Sequence, residues 1–121
     1  MSALVVLGIA ALGGAGAIGR FLLDGAVAAR AGRSFPWGTL AVNLSGAFVL
    51  GLLTGAALSG DALRLLGTGL IGAYTTFSTW ALESHRAAED GRSRSALLNV
   101  GVSLVLGLLA AWAGRELGLA L

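Results

Sequence analysis

Four long stretches of this 121-residue chain contain no charged residue, and they leave little of the chain over. These stretches are residues 1–19, 34–60, 65–82 and 95–114. About 20 helical residues, each rising ~1.5 Å, are enough to cross a hydrocarbon layer of ~30 Å. We therefore predict an all-α membrane protein made of one domain with four transmembrane helices. The predicted spans cover about residues 3–23, 36–58, 65–84 and 95–115.

The composition supports this prediction. Only 12% of the residues are charged, which is about half the share found in an ordinary soluble domain. The mean hydropathy is +0.86, and a soluble domain of this size could not cover so much apolar surface. The same values exclude a disordered chain and a nucleic-acid binder, and the absence of cysteine excludes a disulfide scaffold.

The first stretch has two other interpretations. Residues 15–17 resemble a signal-peptide cleavage site, but no basic residue precedes the apolar run, so we expect a membrane span instead. Residues 14–19 fit the pattern G-x-G-x-x-G, but a dinucleotide site also needs a βαβ unit and an acidic residue about 20 positions later. We therefore predict that these glycines allow close contact between helices.

Small residues recur at every fourth position in the second and fourth stretches, so each series lies on one helix face. The series are Thr39, Asn43, Ala47, Gly51 and Gly55, and Asn99, Ser103, Gly107 and Ala111. Lipid provides no hydrophobic reason to hide such a face, so both series predict close helix packing. An amide in hydrocarbon needs a partner, so Asn43 and Asn99 are predicted either to join helices or to line a polar pathway.

The third stretch carries the densest group of polar residues. Three glycines within residues 67–72 precede Thr75, Thr76, Ser78 and Thr79. Because glycine and threonine are poor helix formers, we predict a broken helix that is open near residues 72–76. Non-helical backbone at membrane depth must lie inside protein or beside a water-filled cavity. Its freed carbonyl oxygens suit a cation such as Na⁺, and its freed N–H groups suit an anion.

Two aromatic residues of this stretch, Phe77 and Trp80, are three positions apart, so their rings are predicted to share one face. The edge of an aromatic ring is electropositive and can hold a small anion weakly enough for it to leave. The hydroxyl groups of Thr76, Ser78 and Thr79 can replace the water that such an anion loses. The alternative interpretation is that both rings face lipid or the protein core.

Charged residues lie at the ends of the stretches. Glu83 ends the third stretch and is predicted to be either a solvated interfacial group or a functional group of a vestibule. Arg20 follows the glycine-rich end of the first stretch, where it either extends to the membrane surface or gathers anions at a pore mouth.

The arginines, which are the only basic residues of the chain apart from His85, also predict an orientation. Four spans would place six arginines on one side of the membrane and two on the other. The two sets are Arg20, Arg30, Arg33, Arg86, Arg92 and Arg94, and Arg64 and Arg115. The positive-inside rule then predicts that the first side is cytoplasmic and that both termini are outside.

Three segments carry longer motifs. Residues 13–20 are similar to a glycine–arginine motif, residues 38–46 to G-T-L-x-V-N-x-x-G, and residues 72–83 to T-T-F-S-T-F-x-x-E. Together they resemble the Fluc (CrcB) family of fluoride channels over all four spans. The resemblance implies a fluoride-selective ion channel, not an enzyme. Such a channel exports fluoride passively across the cell membrane and so lowers fluoride toxicity in the cytoplasm.

The resemblance also implies an antiparallel, dual-topology type of dimer with two pores at its interface. It implies a fluoride pathway made of Asn43, Phe77, Ser78, Thr79, Trp80 and Ser103, with a looser match at Asn99. Arg20 would lie in the vestibule, and the carbonyl groups of Gly72 and Thr75 would hold a structural Na⁺ at the dimer interface. Trp80 stands where the family has phenylalanine; its edge is also electropositive, and its indole N–H is a donor.

Two other functions fit a chain with four spans. A small proton-coupled multidrug or guanidinium exporter of the four-span antiparallel type needs an ionisable acid deep within a span, and the first span has none. A structural subunit without transport would explain the glycines but not the hydroxyl-rich residues 75–79. The arginine asymmetry conflicts with opposed copies of one chain. The expected partners are therefore fluoride, membrane lipid, and a second copy or an oppositely oriented paralogue, but no nucleic acid.

Overall fold

A computed structural model describes all 121 residues, and every regular element in it is a helix. The elements are α1 (Ala3–Ala31), α2 (Trp37–Gly55), α3 (Gly60–Leu63), the π-helix π1 (Arg64–Ile71), α4 (Gly72–Tyr74), α5 (Ser78–Glu89) and α6 (Ser93–Leu119). Helices α1, α2 and α6 are each long and apolar enough to cross a membrane. The remaining elements form one segment, residues 60–89, that is interrupted at residues 75–77. The predictions of an all-helical protein and of a broken third helix are confirmed.

Several helices continue beyond the charge-free stretches. Helix α1 continues eight residues beyond the first predicted span and ends at Ala31. Its cap is Gly32, whose φ of 79° and whose N–H bond to the Ala28 carbonyl (2.9 Å) close the last turn. Helix α5 continues to Glu89, beyond the third predicted span, and residues 60–63, between the second and third predicted spans, are helical. Backbone hydrogen bonds hold a helix in water as well as in lipid. The charge-free stretches therefore mark the apolar parts of the helices, but they do not mark the residues at which the helices end.

Helices α2 and α6 contact each other backbone to backbone. Gly51 and Gly55 of α2 face carbonyl oxygens of α6, and Gly114 and Gly118 of α6 face carbonyl oxygens of α2. A Cβ atom at any of these four positions would collide with the facing oxygen. The predicted close packing is confirmed for the glycines of α2, whereas Gly107 of the second series has no neighbour within 4 Å.

The broken segment is held by glycines as well. Gly16 of α1 lies directly against the Leu70 carbonyl group, and a Cβ atom at Gly69 of π1 would be 3.2 Å from Ile9 of α1. On the other side, Gly46 of α2 lies against the side chain of Thr75. The segment is therefore fixed between α1 and α2, and the glycine-rich part of α1 has the packing role that was predicted.

The α2–α6 contact predicts the effect of one added methyl group. Gly114→Ala should destabilise the protein by about 1–3 kcal/mol because its Cβ collides with the Phe48 carbonyl oxygen. Gly101→Ala in the same helix meets nothing within 4 Å, and alanine favours a helix over glycine by about 1 kcal/mol. Thermal unfolding in detergent should show a lower midpoint for Gly114→Ala alone. Equal midpoints for the two variants would contradict the close contact.

Candidate functional site

The helix break begins at Thr75, slightly later than predicted. Thr75 has an extended backbone (φ −82°, ψ 162°). Its N–H still donates to the Ile71 carbonyl (3.0 Å), which keeps residues 72–74 helical. The prediction of an opening from residue 72 is therefore wrong at its start. The residues before the break stay helical because α1 packs directly against Gly69, Leu70 and Tyr74.

Asn43 of α2 pairs with the backbone of the break. Its Nδ2 donates to the Thr76 carbonyl oxygen, and the Thr76 N–H donates to its Oδ1, each at 2.8 Å. The amide thus replaces both partners that a continuous helix would have given this peptide group. A primary amide has two N–H donors, and the second forms no hydrogen bond with the protein. Asn43 therefore joins two helices and also keeps one free donor.

Thr76 restarts the helix after the break. Its Oγ1 accepts a hydrogen bond from the Thr79 N–H (3.1 Å) in the manner of an N-terminal capping residue, and it lies 3.5 Å from Ser78 Oγ. The hydroxyl-rich motif thus serves partly to begin α5. Ser78 is exposed and Thr79 is half-buried.

An open groove of about 370 Å³ lies beside the break. Its lining includes six of the nine predicted site residues, namely Asn43, Gly72, Thr75, Phe77, Trp80 and Ser103. These residues come from α2, the broken segment and α6, so the fold brings together positions up to 60 residues apart in the chain. Ser78, Thr79 and Arg20 do not line the groove, and no charged residue does. The groove is therefore an uncharged and largely apolar surface that carries a few polar groups.

The two aromatic rings of the groove are in contact, as their spacing predicted. The ring centroids of Phe77 and Trp80 lie 5.1 Å apart, with an angle of 65° between the planes. This is an edge-to-face arrangement, in which an electropositive edge points at a ring face. The Phe77 side chain is 76% exposed, whereas Trp80 is half-buried.

Trp80 is tied to α6 through Asn99. The indole Nε1 donates to the main-chain carbonyl oxygen of Asn99 (3.1 Å), and the side-chain Nδ2 of Asn99 donates to Ser84 Oγ (2.8 Å). Ser103 Oγ donates to Asn99 Oδ1 (3.4 Å). Asn99 therefore joins helices, which is one of its two predicted roles. The indole N–H is occupied within the protein and is not a free donor.

A second cavity, of about 190 Å³, lies where α1 and α5 end and α6 begins. Six charged residues contribute to its lining, namely Asp24, Arg33, Glu83, Arg86, Asp90 and Arg92. Thr39 of α2 is buried and donates from Oγ1 to Glu83 Oε1 (2.6 Å). We call this cavity the charged mouth.

The sequence did not predict the contact between Thr39 and Glu83. The available signal was position, because Thr39 lies four residues before Asn43 on the same face of α2. Arg20 lines neither the groove nor the charged mouth. It is half-buried, and its buried Nε has no hydrogen-bond partner. Its place in a vestibule stays a prediction.

Two carbonyl groups beside the break lack the partners that a helix would supply. The Thr75 carbonyl oxygen accepts no hydrogen bond, and none of the N–H groups of residues 75–77 donates to the Gly72 carbonyl. Both residues line the groove, and Gly72 is exposed. Neutral carbonyl oxygens that are not hydrogen-bonded are suitable ligands for a hard cation such as Na⁺.

Comparison with known proteins gives a consistent result. Residues 7–115 match the family model described as CrcB-like protein, Camphor Resistance (CrcB). The chain is 57% identical over 113 residues to the fluoride-specific ion channel FluC 2 of Mycolicibacterium paratuberculosis, covering 93% of each chain. It is 55% identical over 109 residues to the protein of the same name from Mycobacterium tuberculosis, covering 90% of this chain and 86% of the relative. Identity to the fluoride-specific ion channel FluC of Geobacter sulfurreducens is 50% over 114 residues, covering 90% and 92%.

Proposed function

The chain belongs to the family of CrcB-like proteins, and from this we propose that it is a fluoride-selective channel of the cell membrane, and not an enzyme. It is a multi-pass membrane protein. The observation that carries the proposal is the uncharged groove, where Asn43, Phe77, Trp80 and Ser103 meet beside the helix break. The relatives named as fluoride-specific ion channels support the choice of ion.

The groove supplies weak replacements for the water around a fluoride ion. The free N–H of Asn43 is a hydrogen-bond donor, the Ser103 hydroxyl can donate to the ion if it leaves its 3.4 Å bond to Asn99 Oδ1, and the ring edge of Phe77 is electropositive. No arginine or lysine is present to hold the anion tightly. Conduction needs sites that an ion can both enter and leave, and an uncharged lining meets that requirement. Ser78 and Thr79 extend the proposed pathway along the first turn of α5, outside the groove of a single subunit.

Passive flow is sufficient for export. Hydrogen fluoride is a weak acid that enters cells uncharged and releases fluoride near neutral pH. An inside-negative membrane potential drives the anion outward with about 2.3 kcal/mol for each 100 mV. Export through this pathway would lower the concentration of fluoride in the cytoplasm without an energy-coupling domain.

The exposed side of the groove supports an antiparallel dimer. Phe77 is largely exposed beside the groove, and Gly72 presents its backbone at the same surface. Non-helical backbone at membrane depth is not left against lipid. A second subunit that covers the break would enclose both features. Each subunit would then cross the membrane four times, with residues 60–89 as the third crossing.

A structural Na⁺ at that interface fits the groups that are present. The Gly72 and Thr75 carbonyls would hold the ion, since they lack hydrogen-bond partners and lie at the surface that a second subunit would cover. The cation would supply positive charge that stabilises the break. It would not take part in moving fluoride.

The distribution of arginines bears on the second subunit. Arg33, Arg86 and Arg92 all line the charged mouth, so these three arginines of the larger set lie at one end of the molecule. A strong bias fixes one orientation of a chain in the membrane. An antiparallel pair then needs either tolerance of both orientations by this chain or an oppositely oriented paralogue, and the six-to-two split favours the paralogue.

A proton-coupled multidrug exporter is less well supported. Such a protein needs an ionisable acid in its transport pathway. The groove has none, and the acid nearest to it in the broken segment, Glu83, lines the charged mouth and accepts a hydrogen bond from Thr39.

The central experiment is efflux from liposomes that contain the purified protein. We expect an ion-selective electrode to show rapid release of fluoride and no comparable release of chloride from the preparation that contains the complete dimer, because the relatives are named as fluoride-specific ion channels. Robust release from the purified chain alone would contradict an obligate paralogue. Release only after co-expression with an oppositely oriented paralogue would support it. No fluoride release from either preparation would contradict the proposed function.

Asn43→Asp should abolish fluoride flux. The aspartate carboxylate cannot donate to the Thr76 carbonyl oxygen, and it places a negative charge in an uncharged pathway. Thr54→Ala is the matched control, because Thr54 lies in the same helix and bonds only to carbonyl groups of its own helix. The same efflux assay measures both variants. Unchanged flux in Asn43→Asp would remove Asn43 from the pathway.

Phe77→Ile should reduce fluoride flux at least tenfold while the protein still assembles, since isoleucine keeps apolar bulk but has no ring edge. Phe21→Ile is a suitable control, because Phe21 is exposed to the same extent, 76%, and lies on α1. Efflux and size-exclusion elution are measured for both. Normal transport in Phe77→Ile would count against binding by ring edges.

A further inference from the structure

The second ring of the groove is held in a closed set of hydrogen bonds. Trp80 Nε1 donates to the main-chain carbonyl oxygen of Asn99 at 3.1 Å, and the side-chain Nδ2 of Asn99 lies 3.4 Å from the main-chain carbonyl oxygen of Trp80. Asn99 Nδ2 also donates to Ser84 Oγ at 2.8 Å, and Ser84 Oγ donates to the Trp80 carbonyl at 2.9 Å. Both the ring and the backbone of Trp80 are thus tied to one residue of α6. We call this set the Trp80–Asn99 clasp.

We propose that Asn99 is a positioning residue that fixes the Trp80 ring as an immobile wall of the groove, and that this fixed ring limits the rate of fluoride passage. The inference rests on the proposed function, since it concerns the same pathway. It concerns residue 80, where this chain has tryptophan and the family pattern has phenylalanine. It therefore addresses how the rate of fluoride passage through this channel differs from that through a channel with two phenylalanine rings.

Burial makes the clasp persistent. Asn99 is 1% exposed, at the wall of the charged mouth, and Ser84 is buried, so water has little access to the bonds between them. Hydrogen bonds in such surroundings are costly to leave unmade, and connected bonds support one another. A brief opening of the indole bond would leave the indole N–H of Trp80 without a partner.

The two rings differ in their freedom to move. Phe77 is exposed and has no polar atom on its ring, so it can turn its edge without breaking a hydrogen bond. Trp80 can turn only if its indole N–H leaves the Asn99 carbonyl. Transfer of an ion between the rings therefore depends on one mobile edge and one fixed edge. The net strength of one hydrogen bond corresponds to a change of about threefold to tenfold in rate.

The first test compares Trp80→Phe with Trp112→Phe in the liposome assay. Phenylalanine keeps a ring edge but lacks the N–H, so we expect fluoride efflux to rise by about threefold to tenfold for Trp80→Phe. Trp112 is exposed on α6 and makes no hydrogen bond, so Trp112→Phe should match the wild type. Efflux from Trp80→Phe at or below the wild-type rate would overturn the proposal that the fixed ring limits the rate.

The second test measures ring motion directly and needs no transport. In the variant Trp37→Phe/Trp112→Phe, Trp80 is the remaining tryptophan and reports by fluorescence anisotropy decay. Adding Asn99→Ala removes the amide bonds to Ser84 and to the Trp80 main chain but keeps the main-chain carbonyl that accepts the indole N–H. Without the amide, α5 and α6 are joined less firmly beside the ring, so local motion of the ring should increase, whereas adding Ser95→Ala, one turn earlier in α6, should leave it unchanged. Equal ring motion in the two variants would overturn the role of Asn99.

These measurements distinguish a failure of the proposed function from a failure of the inference that Trp80 limits the rate. If the wild-type protein releases no fluoride, either alone or after co-expression with an oppositely oriented paralogue, the proposed function fails, and the anisotropy still shows whether the clasp holds the ring. If the wild-type protein releases fluoride but Trp80→Phe is no faster, the proposed function stands and the inference about rate fails.

Discussion

The need of backbone polar groups for partners inside a membrane is the constraint on which this structure depends. A helix satisfies them internally, so a break at membrane depth creates donors and acceptors that lipid cannot satisfy. Here the side-chain amide of Asn43 forms hydrogen bonds with the backbone N–H and carbonyl groups of Thr76, and the Thr76 hydroxyl caps the helix that follows. The carbonyl groups that remain unpaired, those of Gly72 and Thr75, belong to residues that line the groove. The stability of the break and the polarity of the proposed pathway therefore have the same origin.

Close helix contacts make this arrangement possible. Gly16 and Gly46 allow α1 and α2 to approach the broken segment from two sides, and this places Asn43 within reach of Thr76. A larger residue at either position would move the segment away from its partner. The glycines and the polar residues thus depend on each other, since the first set brings the second within hydrogen-bond distance.

The sequence predicted much of this site because its signals are local. Charge-free stretches indicated the apolar helices, four-residue series indicated the faces that carry Asn43 and Gly51, and a three-residue spacing indicated the contact between Phe77 and Trp80. The features that it did not predict depend on tertiary contacts. The start of the break at Thr75 is set by packing against α1, and the bond from Thr39 to Glu83 joins residues 44 positions apart. No pattern in residues 64–71 predicts the π-helix.

The glycine contact between α2 and α6 has a consequence for how ions can cross. Transporters that alternate access rock one group of helices against another, and such sliding needs a layer of side chains that can exchange neighbours. Between α2 and α6 the main chains themselves touch, and Gly51, Gly55, Gly114 and Gly118 leave no such layer. These two helices must move as one rigid unit. A route along them can admit ions through small rotations of side chains, without any rocking of α2 against α6.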